Sequence, residues 1–98
     1  MYDSEVIKTV VFTEKLQKEL RAVPIVILKK LRAWVDDVET NGLENARRRP
    51  GYHDEPLQGD RRGERSVRLN RSWRAIYVIG AAGDVECVEV HEVNKHDY

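Results

Sequence analysis

The chain has 98 residues, of which 41% are hydrophobic and 35% are charged, and its formal net charge is zero. A chain of this length forms one hydrophobic core, so we expect a single domain over residues 1–98. The hydrophobic content argues against a disordered tail, and no uncharged run approaches the roughly 20 residues that cross a bilayer. Residues 1–10 lack the features of a secretory signal, and Cys87 is the single cysteine. We therefore expect a cytoplasmic protein without disulfide bonds.

The charge is unevenly distributed along the chain. Residues 46–74 contain nine basic and four acidic residues, whereas residues 75–98 contain one basic and five acidic residues. All nine bases of the middle segment are arginine: Arg47, Arg48, Arg49, Arg61, Arg62, Arg65, Arg68, Arg71 and Arg74. A guanidinium group offers a planar fork of donors that fits a phosphate in two-point contact. The composition alone is equally compatible with an anion-binding surface and with a solvated face that nearby acids balance.

The first part of the chain predicts one strand and two helices. Residues 5–12 are rich in valine and isoleucine, and Thr13 is a suitable N-cap for a helix over residues 14–22. Pro24 ends this helix, and a longer one follows that stops at Asn41 and Gly42. Its apolar residues recur at three- and four-residue spacing: Ile27, Leu28, Leu31, Trp34, Val35 and Val38. We expect this stripe to pack in the core.

The second part predicts a long connection followed by three strands. Residues 43–63 contain two prolines and three glycines and show no regular period, which is typical of a functional loop. Residues 65–70 then alternate, with Val67 and Leu69 on one face and Ser66, Arg68 and Asn70 on the other. Two more strands follow over residues 73–79 and 85–93, joined by short turns.

These elements predict an α+β domain of order β-α-α-β-β-β. An antiparallel sheet would pack one face against the two helices and leave its opposite, partly polar face open. In the last strand, Val88 and Val90 share one face, and Cys87, Glu89 and His91 share the other. A binding or catalytic site could lie on the open face.

A meander would bring the strand arginines close to the tail formed by residues 94–98. Arginine, lysine, histidine and tyrosine together suit metal-independent cleavage of RNA, in which the ribose 2′-hydroxyl attacks the neighbouring phosphate. From spacing alone, a tail of this composition is more often a solvated chain end. The candidates are Arg68, Arg74 and Lys95 as phosphate ligands, and His96 and Tyr98 as proton-transfer groups.

Other kinds of site have weaker support in the sequence. The histidines lack the paired spacing on one face that zinc sites use, so we expect no metal site. Cys87 lies in mid-strand among acids and has no partner motif for nucleophilic catalysis. Gly80 and Gly83 join two strands and do not open a helix, which argues against a phosphate-binding loop. We expect no cofactor.

Residues 56–70 read PLQGDRRGERSVRLN and are soon followed by WRAIY. This run resembles the P-L-K-G-D-x-x-G-x-x-S-I-R-x-N-x-x-W-R signature of RelE/ParE-superfamily toxins, especially the HigB-like branch. The ending EVNKHDY resembles the C-terminal motif of that superfamily, and the element order is similar to the RelE fold over nearly the whole chain. Two departures fall in the loop. Gln58 replaces the usual lysine, and Glu55 stands where HigB-like enzymes often have a histidine.

The resemblance implies the toxin of a type II toxin-antitoxin system. Such toxins mostly cut mRNA in the ribosomal A site without a metal, and a cognate antitoxin, here expected to be a helix-turn-helix DNA-binding protein, holds them inactive. By the same resemblance, mRNA and the ribosome are expected partners and a membrane is not. The implied catalytic residues are Arg68, Arg74, His96 and Tyr98. Their positive charge makes Arg61, Arg62, Arg65 and Lys95 the expected RNA-binding residues. In the loop, His53 and Glu55 are the candidate contributors, and Glu55 could act as a base.

Two other functions are compatible with the same resemblance. A ParE-like protein would inhibit DNA gyrase without catalysis, and a degenerate toxin would only bind its antitoxin. The joint presence of Arg68, Arg74 and a basic, aromatic tail favours the endoribonuclease, or mRNA interferase. The zero net charge argues against a ribosome-binding protein, although the positive charge is concentrated locally.

Overall fold

The computed structural model describes residues 6–95. They form one five-stranded sheet with helices packed against one face. The strands are β1 (Thr9–Phe12), β2 (Glu55–Pro56), β3 (Arg65–Arg68), β4 (Trp73–Ala82) and β5 (Val85–Lys95). The helices are α1 (Glu14–Glu19), α2 (Ile25–Asn41) and α3 (Leu43–Arg47). None of the helices in the described range is long and apolar enough to span a bilayer.

Helix α1 begins at the residue that the sequence indicates. The backbone N–H of Leu16 donates to Thr13 Oγ1 at 3.2 Å, which caps the first turn. The α-helical geometry ends at Glu19, and a 3₁₀ turn over Leu20–Ala22 continues the segment towards Pro24. The predicted helix is thus present, although its last turn is tighter than an α-helix.

Helix α2 supplies most of the helical part of the core. Its predicted stripe is confirmed, since Ile27, Leu31, Trp34, Val35 and Val38 are buried and Leu28 is half-buried. The Trp34 ring lies 5.5 Å, centroid to centroid, from the ring of Tyr77 on β4. This aromatic contact packs the helix against the centre of the sheet.

The segment predicted as an unstructured connection contains short elements. Gly42, with φ of 89°, ends α2 in a conformation that favours glycine, and α3 follows at once. Leu43 and Ala46 are buried and anchor α3 to the core. Further along, β2 pairs with β3 over only two residues. Elements this short cover too few turns or alternations to produce a periodic signal in the sequence.

The strand order across the sheet is β1-β5-β4-β3-β2. The predicted α+β class is confirmed, and β3, β4 and β5 form the predicted antiparallel meander. Strand β1 differs from the expectation of a wholly antiparallel sheet, because it pairs in parallel with β5, from Thr9 opposite Cys87 to Phe12 opposite Val90. The sheet is therefore mixed, and β5 lies between β1 and β4.

The two faces of the sheet differ in what covers them. Val67, Ala75, Tyr77, Val88 and Val90 are fully buried in the cluster that includes the helices. We call this the helix side. Residues that alternate with them lie on the opposite side, which we call the open face. A register shift between Ile76 and Tyr77 lets β5 carry one extra residue, so the alternation holds on both sides of the shift.

Candidate functional site

The strand register places two rows of polar side chains on the open face. In the first row, Arg68 of β3 lies opposite Arg74 of β4, which lies opposite Asn94 of β5. The second row, one alternation further along, consists of Glu55, Ser66, Ile76 and Glu92. The sheet therefore brings together residues from four strands that are far apart in sequence.

A cleft of about 460 Å³ lies along part of these rows. It is lined by Glu55, Leu57, Arg61, Ser66, Arg74, Ile76 and Asn94. Ser66 and Ile76 are buried at its floor, with 2% and 6% of their surface exposed. Arg74 is half-buried, and its Nη1 donates to Ser66 Oγ across 3.4 Å. The cleft therefore offers a guanidinium group beside a carboxylate, a hydroxyl and an amide.

Arg68 and Arg74 are directly opposite each other on antiparallel strands. Side chains in this relationship have Cβ atoms roughly 5 Å apart, and like charges there repel each other. Arg68 is exposed, and among residues 6–95 its side chain has no ion-pair or hydrogen-bond partner. Of this pair, Arg74 lines the cleft and Arg68 does not, and two facing guanidinium groups are suited to bind one anion between them.

Arg61 connects the loop before β3 to the far side of the cleft. Its guanidinium group forms ion pairs with Glu64, at 2.7 Å, and with Glu92 of β5. The hydrogen bond to Glu64 is the main cause that raises the pKa of Arg61, and Glu92 adds to it. Asn94 in turn donates to Glu92 Oε1 at 2.6 Å. Arg61 is thus held by two carboxylates, while its neighbour Arg62 is exposed and has no side-chain partner in the described residues.

Arg65 lies on the helix side and is not brought into the cleft. Its Nε donates to Asp54 Oδ1 at 2.6 Å, and the hydroxyl of Tyr77 donates to Asp54 Oδ2, also at 2.6 Å. Only 1% of the Asp54 side chain is exposed. Burial is the main cause that raises the pKa of Tyr77, and the hydrogen bond to Asp54 raises it further. We call these three residues the Asp54 cluster, and it attaches the loop before β2 to the sheet.

The two loop candidates lie together at the edge of the cleft. Glu55 lines the cleft and its carboxylate is 3.5 Å from His53 Nε2. His53 has φ of 47°, a left-handed conformation that is uncommon for a residue other than glycine. The turn at His53 is followed by Asp54, whose side chain is buried, and then by Glu55, which lines the cleft.

The remaining sequence candidates are placed as follows. Lys95 is exposed and lies opposite Trp73, so alternation puts it on the other side of β5 from Asn94. His96 and Tyr98 lie outside the described residues, and their predicted roles stay predictions. Within residues 6–95, no group of three or more histidine, cysteine, aspartate or glutamate side chains is arranged to hold a metal ion.

Solved structures with the same architecture cover nearly the whole chain. YafQ from Escherichia coli strain BL21(DE3) superposes with a TM-score of 0.68 at 18% identity, over 90% of this chain and 92% of YafQ. The YoeB/ParE toxin from Agrobacterium tumefaciens gives 0.62 at 22% identity, over 91% and 99% of the two chains. The RelBE2 toxin-antitoxin complex from Mycobacterium tuberculosis gives 0.60 at 25% identity, over 93% and 100%.

The chain therefore has the fold of the RelE/ParE toxins. No protein-family model and no curated protein sequence matches the chain. The superfamily resemblance deduced from the loop signature and the element order is therefore confirmed at the level of the fold. The narrower HigB-like assignment stays a prediction.

Two polar residues of this RelE-fold cleft were not singled out from the sequence. Ser66 forms part of the floor and contacts Arg74, and Asn94 lies opposite Arg74 on β5. Strand alternation already places Ser66 on the same face as Arg68, although the sequence analysis assigns it no role in the site. Asn94 could not be identified in this way, since its place depends on the register between β4 and β5.

Proposed function

We propose that this protein is the toxin of a type II toxin-antitoxin system and that it is a metal-independent endoribonuclease acting on mRNA. The observation that carries the proposal is a cleft on a RelE-fold sheet in which Arg74 lies with the Glu55 carboxylate. Arg68 lies directly opposite Arg74 on β3 and adds a second cation. Opposed cations next to a potential base are the groups that RNA transesterification needs.

The proposed reaction uses the ribose of the substrate as nucleophile. The 2′-oxygen attacks the adjacent phosphorus while its proton passes to a base, and the bond from phosphorus to the 5′-oxygen breaks. The 5′-oxygen takes a proton from an acid, which leaves a 2′,3′-cyclic phosphate on one product. Negative charge accumulates on the non-bridging phosphate oxygens, where Arg74 and Arg68 would stabilise it.

Glu55 is the proposed base among the described residues. It lines the cleft with Arg74 and is positioned by the two-residue strand β2. His96 and Tyr98 remain the other proposed proton-transfer groups. Arg61 and Arg62 are the proposed outer RNA contacts, and Lys95 would act from the end of β5. Arg65 has a structural role in this proposal, because its guanidinium group forms an ion pair with the buried carboxylate of Asp54.

The proposed partners are a cognate antitoxin, mRNA and the ribosome, which places the action in the cytoplasm. One of the similar structures, RelBE2, is a toxin-antitoxin complex. An antitoxin that covers the arginines of the open face with acidic or amphipathic residues would block the proposed cleft. The local positive charge of this face would attract such a segment as readily as it attracts RNA.

Single-turnover cleavage of mRNA, free and bound to ribosomes, tests the proposal in a buffer containing EDTA. Arg74→Ala should lower the cleavage rate by about 10² to 10³, the usual effect of removing one donor to a developing oxyanion. Arg71→Ala is the matched control, because Arg71 is an exposed arginine in the turn before β4 and should leave the rate unchanged. Equal rates for the two variants would overturn the assignment of the site. A wild-type protein that leaves mRNA intact but inhibits DNA gyrase would overturn the enzyme proposal.

A further inference from the structure

A second concave surface lies around the sheet edge from the cleft. This groove, of about 430 Å³, runs between α2 and the end of β3. Lys30 and Ala33 of α2 form one side, Arg68 and Leu69 form the other, and Arg49 and Tyr52 contribute from the segment between them. We call it the α2–β3 groove.

The charged residues of the α2–β3 groove are all basic. Arg49 is neutralised by two hydrogen bonds to Asp37, one of them 2.8 Å from Nη2 to Oδ1. Lys30 and Arg68 are exposed, and neither has an ion-pair partner among residues 6–95. The groove therefore presents two uncompensated positive charges on opposite walls.

The remaining lining of the groove is apolar or aromatic. Tyr52 is half-buried and packs against the core, so its ring is held in place. Ala33 and Leu69 add apolar surface. A fixed aromatic side chain between cations is the pattern by which proteins bind single-stranded nucleic acid, through base stacking and contacts to the phosphates.

Arg68 connects this groove to the catalytic cleft. It lies opposite Arg74 on the open face and also lines the groove. Strand β2 pairs only with Arg65 and Ser66, so no strand of the described residues covers the sheet edge beside Arg68. A single-stranded RNA whose phosphate is bound between Arg68 and Arg74 can therefore pass around this edge without contacting another β-strand.

We propose that the α2–β3 groove is a second RNA subsite, which binds the single-stranded substrate beside the phosphate that is cleaved. This inference rests on the proposed function, because it names the path of the same substrate. Lys30 and Arg68 contact phosphates of the strand, and the Tyr52 side of the groove accommodates a base.

Two neighbouring lysines of α2 provide a matched test. Lys29 and Lys30 are both exposed, but only Lys30 lines the groove. The probe is a fluorescein-labelled ten-nucleotide RNA, fully 2′-O-methylated so that it cannot be cleaved, with binding measured by anisotropy at several salt concentrations. Lys30→Ala should weaken binding about fivefold and lower the salt-dependence slope by about 0.7, the effect of losing one phosphate contact to a single strand. Lys29→Ala should match the wild type.

A shorter probe and a cleavage assay separate this inference from the proposed function. A three-nucleotide RNA is short enough to occupy only the cleft and not the α2–β3 groove. It should bind the wild type and both lysine variants equally. Lys30→Ala should raise KM for a long substrate and leave kcat unchanged. If the wild type cleaves RNA and the two lysine variants bind the ten-nucleotide probe equally, the subsite is wrong and the enzyme proposal stands. If Lys30→Ala weakens binding of an acidic peptide but not of RNA, the groove is a protein-binding surface and the subsite is again wrong. If the wild type neither binds nor cleaves RNA, both proposals fail.

Discussion

The hydroxyl of Tyr77 donates to the buried carboxylate of Asp54 across 2.6 Å. Arg65 binds the other oxygen of the same carboxylate, so one loop residue is tied to two adjacent strands. Asp54 directly precedes Glu55. Because side chains alternate along an extended segment, fixing Asp54 on the helix side directs Glu55 to the open face. The Asp54 cluster thus determines where the proposed base lies.

Removing the Tyr77 hydroxyl should destabilise the protein. Tyr77→Phe keeps the ring packed on Trp34 but leaves one oxygen of Asp54 without its donor. We expect the free energy of unfolding to fall by about 1.5–3 kcal/mol, the usual range for a hydrogen bond to a charged group. The free energy of unfolding is measured by urea denaturation, with tryptophan fluorescence as the signal. A loss below about 0.5 kcal/mol would show that water replaces the hydroxyl.

Asp54→Ala should cost more than Tyr77→Phe, because it leaves the Arg65 guanidinium group on the helix side without its carboxylate. We expect a loss of about 3 kcal/mol or more in the free energy of unfolding. Asp60→Ala is the control, since Asp60 is an exposed acid in the same loop. An Asp54→Ala protein as stable as the Asp60→Ala protein would contradict a structural role for the cluster.

The Tyr77 phenol should make stability depend on alkaline pH. Burial and the bond to Asp54 raise its pKa from the ordinary value of 10.0, so the folded protein keeps the proton that the unfolded chain loses. This stabilisation is complete below about pH 10 and is lost as the pH rises above it. Urea midpoints between pH 9 and 11 should fall more steeply for the wild type than for Tyr77→Phe. Parallel pH profiles would show that another group dominates.

Glu55→Gln should slow RNA cleavage without affecting the fold. Glu55 is exposed, and the amide keeps its shape while removing its ability to accept a proton. We expect single-turnover cleavage to slow about a hundredfold or more. His53→Gln is the comparison, because it alters the neighbour of Glu55 and leaves the carboxylate in place. If Glu55→Gln cleaves at the wild-type rate, the base must be sought at His96 or Tyr98.

Cys87 should react slowly with thiol reagents in the folded protein. It lies on the open-face side of β5 but is fully buried, and burial followed by the charge of Glu89 raises the pKa of its thiol. Both effects lower the amount of accessible thiolate. Labelling with a disulfide reagent at pH 8 should be at least about a hundredfold slower in buffer than in 6 M urea. Rapid labelling in buffer would mean that β5 opens readily at this position.

The parts of the fold that could be predicted from the sequence are those with a clear period. Helix α2 and the alternation around Val67 and Leu69 are long or regular enough to predict burial. The same alternation places Arg65 with Val67, although its charge favoured an RNA-binding role. Local positive charge indicates that an anion could bind, but it does not indicate which face of a strand each arginine occupies.

The features that the sequence did not predict depend on contacts between distant parts of the chain. The parallel pairing of β1 with β5, and the position of Asn94 opposite Arg74, follow from register. No local pattern encodes that register, because strands of valine and isoleucine can pair in several ways. The partners of Asp54 are likewise distant in sequence, so a buried acid in a polar loop could not be recognised.

The position of β5 in the sheet affects how the protein folds during its synthesis. Strand β1 is synthesised first among the described strands, and its neighbour in the sheet is the last to be made. Nearly the whole described chain must therefore close as a loop before these two strands can pair, which slows folding. Asn94, on the same late strand, completes the cleft. A nascent chain therefore has no complete cleft until β5 has left the ribosome that is making it.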